Sequence, residues 1–318
     1  MEKSFYAFGT MNHMKIESNI SEEVLNQMVE HAYDLDDLMS MFKPTSEISN
    51  INQNAGIKPV KVSKTVITVL DRALHFSKIS EGAFDITIRP AVKLWGIGHK
   101  EEQIPTESEL AKVKPLVDYR LLSIDKKTNQ VFLKKKGQSI DLGGIAKGYA
   151  ADIIQKKLLE AGVESGILNF GGTIITIGKK PNGSPWRVGI QNPLDKRGKS
   201  VGSIELNDAA LVTSAVNERF FIKEGITYHH ILDTQSLKPA QSGVLGVSAV
   251  GASGMELDAL TTALFVMGMD RGINFVNSLG VEVLYLLNNG QMYATKGFTG
   301  EKLNFKANFE NKKGNDIK

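Results

Sequence analysis

Apolar and polar positions repeat with a changing period along this chain, and each change of period marks an element. Residues 4–8 form a short apolar run closed by Gly9-Thr10, and residues 14–17 alternate; both predict strands. From residue 21 to 41 the spacing turns helical, with Val24, Leu25, Met28, Val29, Ala32, Leu35 and Leu38 on one side. Ser21 suits the N-cap, and Glu22 and Glu23 suit the first turn. Phe42-Lys43-Pro44 breaks the pattern, and the polar stretch to Pro59 predicts a loop with one helical turn. Residues 63–80 predict a second amphipathic helix, ended near Gly82. An apolar patch runs to Trp95-Gly96, and Thr106 with Glu109 predicts a capping box for a short helix that stops before Pro115.

The second half is richer in strands. Residues 121–124 and 130–133 predict a hairpin. Residues 141–152 read as a strand end, a tight glycine turn and a helix start, with the helix running to Glu160 and Gly162 at its C′ position. Strands are predicted at 168–170, 173–177, 186–190, 201–206, 210–213, 219–222 and 244–250. Residues 256–267 predict a helix ended by Gly268, and 271–279 a further helix. A hairpin follows, 283–287 and 291–294 joined by Asn288-Asn289-Gly290. Residues 1–307 contain no repeat and no low-complexity linker, and the polar residues 308–318 predict a disordered tail. The expected class is α+β: one compact unit with mostly antiparallel sheet and packed helices, leaving room for two lobes.

Composition narrows the function. The 318 residues are 42% hydrophobic and 23% charged, as in an ordinary globular protein with a full-sized core. A net charge of +3 is too small to argue for nucleic acid, and Lys134-Lys135-Lys136-Gly137 reads as a solvated turn. The absence of cysteine excludes disulfides, thiolate metal sites and cysteine nucleophiles. Residues 1–10 lack the apolar run of a signal peptide, a lipoprotein signal would need a cysteine, and no segment is apolar enough to span a membrane. The expectation is a cytoplasmic protein without membrane or nucleic-acid partners; a chain trimmed of an export signal would read the same.

Several short stretches carry chemistry. In residues 141–152, small residues, a helix start and Lys147 compress the features of a phosphate site, though a plain strand-to-helix turn has the same local pattern. Asp258 and Thr262 lie four apart on a predicted helix and share one face. A carboxylate and a hydroxyl there suit a hard cation such as Mg2+; equally, Asp258 can complement the helix start while Thr262 bonds back to a carbonyl. His229 and His230 point to opposite sides of a strand, so one at most serves a given site, as a base near neutral pH or as a structural group. Residues 169–173 hold a glycine pair between strands, residues 82–85 offer Asp85 on a loop, and Trp95 and Trp186 read as packing residues.

Taken in order, these stretches resemble the ApbE family, the FAD:protein FMN transferases. The carrying motifs are Phe8-Gly9-Thr10, Met39-Ser40-Met41-Phe42 with Ser46-Glu47-Ile48-Ser49, residues 82–87 with Pro90 and Trp95-Gly96, residues 141–152, residues 169–172, His229-His230-Ile231, and residues 258–268. The resemblance implies an ApbE-like, T-fold-like unit that binds FAD, uses Mg2+ to break its pyrophosphate, passes FMN to a threonine or serine of a target flavoprotein such as a reductase, and releases AMP. By the same resemblance, Asp258 and Thr262, with Thr261 adjacent, are side-chain Mg2+ ligands, and Gly144 supplies a backbone carbonyl opposite them. Phe8, Phe42, Ala83, Phe84, Asp85, Asp141, Lys147 and Leu232 are implied FAD contacts, with Phe42 beside the flavin ring and Leu232 in a loop over the ligand. His230 is the implied base, preferred to His229, and Asp258 is the other implied catalytic residue.

The chain departs from the family pattern at three places. Thr173 stands where an aspartate is usual after the glycine pair. Residues 233–237 read Asp-Thr-Gln-Ser-Leu where Asp-Pro and then Thr-Gly are usual, and Ser214-Ala215 stands for Ser-Gly. These departures leave two alternatives open beside the transferase: an FAD pyrophosphatase giving FMN and AMP, and a non-catalytic FAD-binding protein.

Overall fold

Short alternating runs and amphipathic stretches assemble in chain order in a computed structural model that describes residues 1–98, 101–196 and 198–308. The chain opens with β1 (Glu2–Ala7), β2 (Thr10–Ile16), α1 (Glu22–Met39) and α2 (Glu47–Gln53). Next come β3 (Val60–Lys61), α3 (Lys64–Ile79), α4 (Arg89–Trp95), α5 (Glu107–Val113), β4 (Leu122–Asp125) and β5 (Gln130–Leu133). Helix α6 (Ala146–Glu160) leads to β6 (Gly166–Phe170), β7 (Thr173–Ile177), β8 (Trp186–Gln191), β9 (Ser200–Leu206) and β10 (Ala210–Ala215). The chain continues through β11 (Phe220–Lys223), β12 (Ile226–His229), β13 (Val244–Gly251), α7 (Gly254–Asn277), β14 (Glu282–Leu287), β15 (Met292–Ala294) and β16 (Lys306–Ala307). This is the α+β fold with antiparallel sheet that the sequence predicts.

The described residues form two compact units. The first holds Met1–Asp34, Lys147–Ala215 and Ser242–Lys318, of which residues 309–318, most of the expected disordered tail, lie outside the described residues. Its main sheet has eight strands in the order β1-β2-β6-β7-β10-β13-β14-β15, with every neighbour antiparallel. A second sheet, β16-β9-β8, encloses a core with the first, built from Val188, Ile204, Leu211, Leu284 and Phe298. Asn308, assigned to the tail by its polarity, instead bonds Val201 O through its N–H at 2.9 Å, extending the β16 edge.

Helix α7 packs on β10 and β13, and its first turn is built by groups from elsewhere in the unit. It starts two residues before the predicted position because Ser253 caps it, accepting from Glu256 N at 3.3 Å. Gly268 (φ 76°, ψ 173°) interrupts it where the sequence predicts a stop, a left-handed conformation that suits glycine. Gly162 closes α6 with φ 82° as predicted, its N–H bonded to Leu159 O and that of Val163 to Leu158 O.

The second unit holds Leu35–Ala146 and Val216–Gln241. Its three-stranded sheet is β3-β5-β4, and β11 and β12 form a separate hairpin. Ala91, Trp95, Leu110, Leu232 and Leu237 make its apolar cluster. Trp95 is a packing residue, as predicted, and its indole N–H also donates to Leu237 O at 2.7 Å. Two helices exceed the prediction. α2 replaces a single turn because Ser46 caps it and Glu47 accepts from Ser63 N and Oγ at 2.9 and 2.8 Å. α4 forms where only an apolar patch was legible, with Pro90 in its first turn, a position that costs no hydrogen bond. The capping box at Thr106 and Glu109 is present as predicted. Among the described residues no helix is long and apolar enough to cross a membrane.

One close backbone contact in the first unit is between helix starts. A methyl on Gly148 would lie 2.2 Å from Gly254 O and 2.7 Å from Met255 Cα, so the backbones of α6 and α7 touch. Gly148→Ala is expected to destabilise the protein by about 3 kcal/mol, because rigid backbone has to move to admit the methyl; urea denaturation of wild type and variant measures it.

Candidate active site

Where α6 and α7 meet, charged and hydroxyl groups collect. Asp258, one turn into α7, is only 4% exposed. Its carboxylate accepts from Gly148 N at 3.1 Å, and Lys147 Nζ lies 3.3 Å from both of its oxygens. A carboxylate this buried needs such partners, since desolvation of an unpaired ion costs several kcal/mol. The α7 start is capped by Ser253 and by Asp152, so Asp258 does not cap its own helix. Asp152 accepts from Ser253 Oγ, Gly254 N and Met255 N at 2.7, 2.7 and 3.0 Å. Burial still pushes its carboxyl above the usual carboxylate range, against those three bonds. Sequence reasoning assigned Asp152 no role, and its partners a hundred residues away left no local signal.

The hydroxyls complete the cluster. Thr261 and Thr262 each donate back to Asp258 O at 3.2 Å, as the back-bonding reading expects. Ser214 Oγ, on β10, donates to Thr261 Oγ1 at 2.9 Å and lies 3.5 Å from Thr262 Oγ1. The donor set is therefore a carboxylate and neutral hydroxyls, all hard oxygens. Among the described residues no group of three or more histidines, aspartates and glutamates is poised for a metal. One carboxylate with neutral oxygens fits Mg2+, which is commonly held by one or two carboxylates together with substrate phosphates.

Lys147 reaches this cluster past a glycine. A methyl on Gly171 (φ 57°) would lie 3.2 Å from Lys147 Cδ and 2.5 Å from Thr10 Cγ2. Thr10, which follows the hairpin turn of Phe8 (φ 55°) and Gly9 (φ 70°), therefore packs at the same glycine as the lysine stem, and Asn12 Nδ2 braces that turn by donating to Ala7 O at 3.1 Å. Asn169 Oδ1 accepts from Gly172 N at 3.1 Å and shapes the glycine pair. Thr173 Oγ1 is buried without a hydrogen-bond partner.

The remaining sequence-predicted residues lie in the second unit. Asp85 is 7% exposed, and its carboxylate is already engaged: Thr87 N and Oγ1 donate to one oxygen at 2.8 and 2.7 Å, and Tyr119 N donates to the other at 2.9 Å. Burial raises its pKa against these bonds. Ala83 and Phe84 beside it are buried. Asp141 joins this segment through Asp141 N to Ile86 O at 2.8 Å, and its carboxylate accepts from Gly143 N at 2.7 Å, holding the turn that contains the half-buried Gly144. Phe42 is 60% exposed and stands with Met41, Arg89, Asn52 and Ser139 around a cleft of about 730 Å³.

Leu232, expected in a covering loop, places its side chain in the apolar cluster, 6% exposed. The segment after it is firmly built. Leu237 N bonds Asp233 O at 2.8 Å, Thr234 Oγ1 donates to Gly82 O at 2.7 Å, and Lys114 Nζ donates to Thr234 O at 3.0 Å. The two histidines differ in burial, and His230 lies just past the end of β12 rather than on the strand. His229 is buried, its Nε2 on Ala240 O at 3.1 Å, and desolvation lowers its pKa. His230 is half-buried, with Nδ1 on Arg219 O at 3.2 Å.

The model of the ApbE family matches residues 8–285 of this chain. The chain belongs to the ApbE family. A Klebsiella pneumoniae protein named FAD:protein FMN transferase is 33% identical over 237 residues, covering 74% of this chain and 73% of its own. A Vibrio cholerae protein of the same name is 31% identical over 270 residues, covering 83% and 80%. Among solved structures, the ApbE protein of Thermotoga maritima superposes with a TM-score of 0.87 at 28% identity, over 94% of this chain and 98% of that one. The flavin transferase ApbE from Vibrio cholerae gives 0.85 at 29% identity over the same shares. Within this ApbE chain, Lys147, Asp258, Thr261 and Thr262 form one cluster, with Phe8 at the neighbouring turn. Phe84, Asp85, Asp141 and Gly144 occupy adjoining segments of the other unit.

Asp85→Asn is expected to lower stability by about 1–3 kcal/mol at pH 7, because an amide leaves either the Thr87 or the Tyr119 donors facing another donor; an unchanged denaturation midpoint would exclude a structural role. His229 adds a pH dependence. Its lowered pKa means that its contribution is complete above the unfolded value and is lost as pH falls below about 6.5. His229→Gln, which keeps a donor for Ala240, is expected to flatten the fall in melting temperature between pH 7 and pH 5.

Proposed function

We propose that this chain transfers FMN from FAD to a threonine or serine of a protein, in a Mg2+-dependent reaction that forms a phosphoester and releases AMP. The pair of half-buried Lys147 and buried Asp258, set at two helix starts among hydroxyls, carries the proposal, together with relatives named for FAD:protein FMN transfer. FAD would be the substrate, and the partner a target flavoprotein, for example a reductase.

Each residue has a physical task. Asp258, with Thr262 and Thr261, would hold Mg2+, and the family resemblance adds the Gly144 carbonyl. Bound there, the cation would supply charge neutralisation for a pyrophosphate. Lys147 adds a positive charge at the start of α6, where the helix dipole also favours phosphate. The acceptor hydroxyl is a poor nucleophile until a base takes its proton. His230 suits that task. Arg219 O can only accept, so the hydrogen bond between them has Nδ1 as the donor and fixes the orientation of the half-buried ring. His229 is buried and held on Ala240, which supports the choice of its neighbour. Excluding water is the remaining requirement, because hydrolysis would otherwise compete with transfer.

Incubation with FAD, Mg2+ and candidate flavoproteins, preferably after co-expression, is expected to add the mass of FMN to a threonine or serine of one of them. Asp258→Asn, which keeps the shape of the side chain, is expected to reduce that labelling about a hundredfold or more. Labelling at the wild-type rate would remove Asp258 from the site. Rapid AMP release without any acceptor would favour the pyrophosphatase reading, and FAD retained intact with Mg2+ and acceptor would favour a binding protein.

A further inference from the structure

The eight-stranded sheet ends on two unlike edges. β15 is three residues long, and a short edge offers little to a pairing strand. β1 is six residues long and pairs only with β2. Its register fixes where its backbone points. Met1 and Ile16 exchange both hydrogen bonds, at 2.5 and 2.8 Å. Bonded and non-bonded pairs alternate in an antiparallel ladder. Lys3, Phe5 and Ala7 therefore also face β2, and Glu2, Ser4 and Tyr6 turn their N–H and C=O to the open side. All three are exposed, and among the described residues no strand lies beyond them.

This edge runs into the cluster. Ala7 passes into the Phe8-Gly9 turn, Thr10 packs at Gly171, and Gly171 borders the stem of Lys147, whose Nζ is 3.3 Å from Asp258. All of these residues belong to one unit. The side chains grade along the same path. At the far end Glu2 pairs with Lys15 at 3.2 Å and Ser4 bonds His13 at 2.9 Å. Next to the turn, Tyr6 and Met11 stand directly opposite each other, 62% and 59% exposed, and form an apolar step.

We propose that β1 is a docking strand for an extended segment of the acceptor protein, which adds to the sheet beside Ser4 and Tyr6 and carries its acceptor hydroxyl toward Lys147 and Asp258. The proposal rests on the transferase reading. A protein acceptor has to present one side-chain hydroxyl at a fixed place along its main chain, and strand addition holds a main chain in register while apolar side chains settle on Tyr6 and Met11. Six residues of strand span about 20 Å, enough to guide a segment from Glu2 to the turn.

The probe is the protein that becomes flavinylated in co-expression, purified without its FMN. Ser4→Pro removes an outward N–H and leaves the inward ladder intact, as proline is tolerated on edge strands. With that variant the KM for the acceptor is expected to rise about tenfold, the value of one main-chain hydrogen bond, while the KM for FAD holds. Ser4→Ala, which keeps the N–H, is expected to have the smaller effect. On the wild-type chain, adding the acceptor with its reactive residue changed to alanine is expected to slow amide exchange across residues 2–7, a readout that needs no proline variant to fold. An unchanged acceptor KM in a folded Ser4→Pro variant, or unchanged exchange, overturns the docking strand alone. A dimer that Ser4→Pro dissolves assigns the edge to a second copy and overturns it as well. Failure to find any flavinylated protein overturns the transferase reading and, with it, this proposal.

Discussion

Backbone contact between Gly148 and Gly254 is the constraint on which the first unit's chemistry depends. With any side chain at Gly148 the starts of α6 and α7 could not touch, and Lys147 would not reach the buried carboxylate of Asp258. The contact is held by a division of labour among acids. Asp152 spends its carboxylate on Ser253, Gly254 and Met255, which satisfies the orphan N–H groups of the α7 start. That leaves Asp258, one turn further on, to face Gly148 N and Lys147. Two aspartates on neighbouring helices thus do different work because one is committed to geometry and the other to charge.

The second unit repeats this economy. Asp85 holds a 3-10 turn and the Tyr119 backbone, Asp141 holds the glycine turn that follows it, and both are tied to Ile86 or its neighbours. His229 anchors a strand end to Ala240, while His230, the next residue, keeps a half-exposed ring fixed by Arg219 O. The segment 233–237, unusual against the family pattern, has not become loose. Its own backbone, Gly82 O and Lys114 all bind it.

Much of this was legible in the residues. The long amphipathic helices, the glycine-terminated α6, the break at Gly268 and the Asn289-Gly290 hairpin follow from period and turn chemistry, which act locally. α4 was missed because its apolar run has no resolved period, and α2 because its stability comes from Ser63 and Glu47, sixteen residues apart. In the candidate site, residue types at Lys147, Asp258 and Thr262 pointed to phosphate and cation chemistry. The partners of Asp258 were not a local question: Gly148 N, which donates to its carboxylate, lies 110 positions earlier. Asp152 escaped notice for the same reason, and Leu232 shows the converse, a loop residue whose side chain belongs to the core.

Lys147 has a consequence for how the molecule matures. A buried carboxylate awaiting an outside cation would leave a newly made chain with an uncompensated ion at the joint between two helices. Here the counter-charge is part of the polypeptide, so the joint can close as soon as both helices exist. Closing this joint during folding therefore requires no cation from solution.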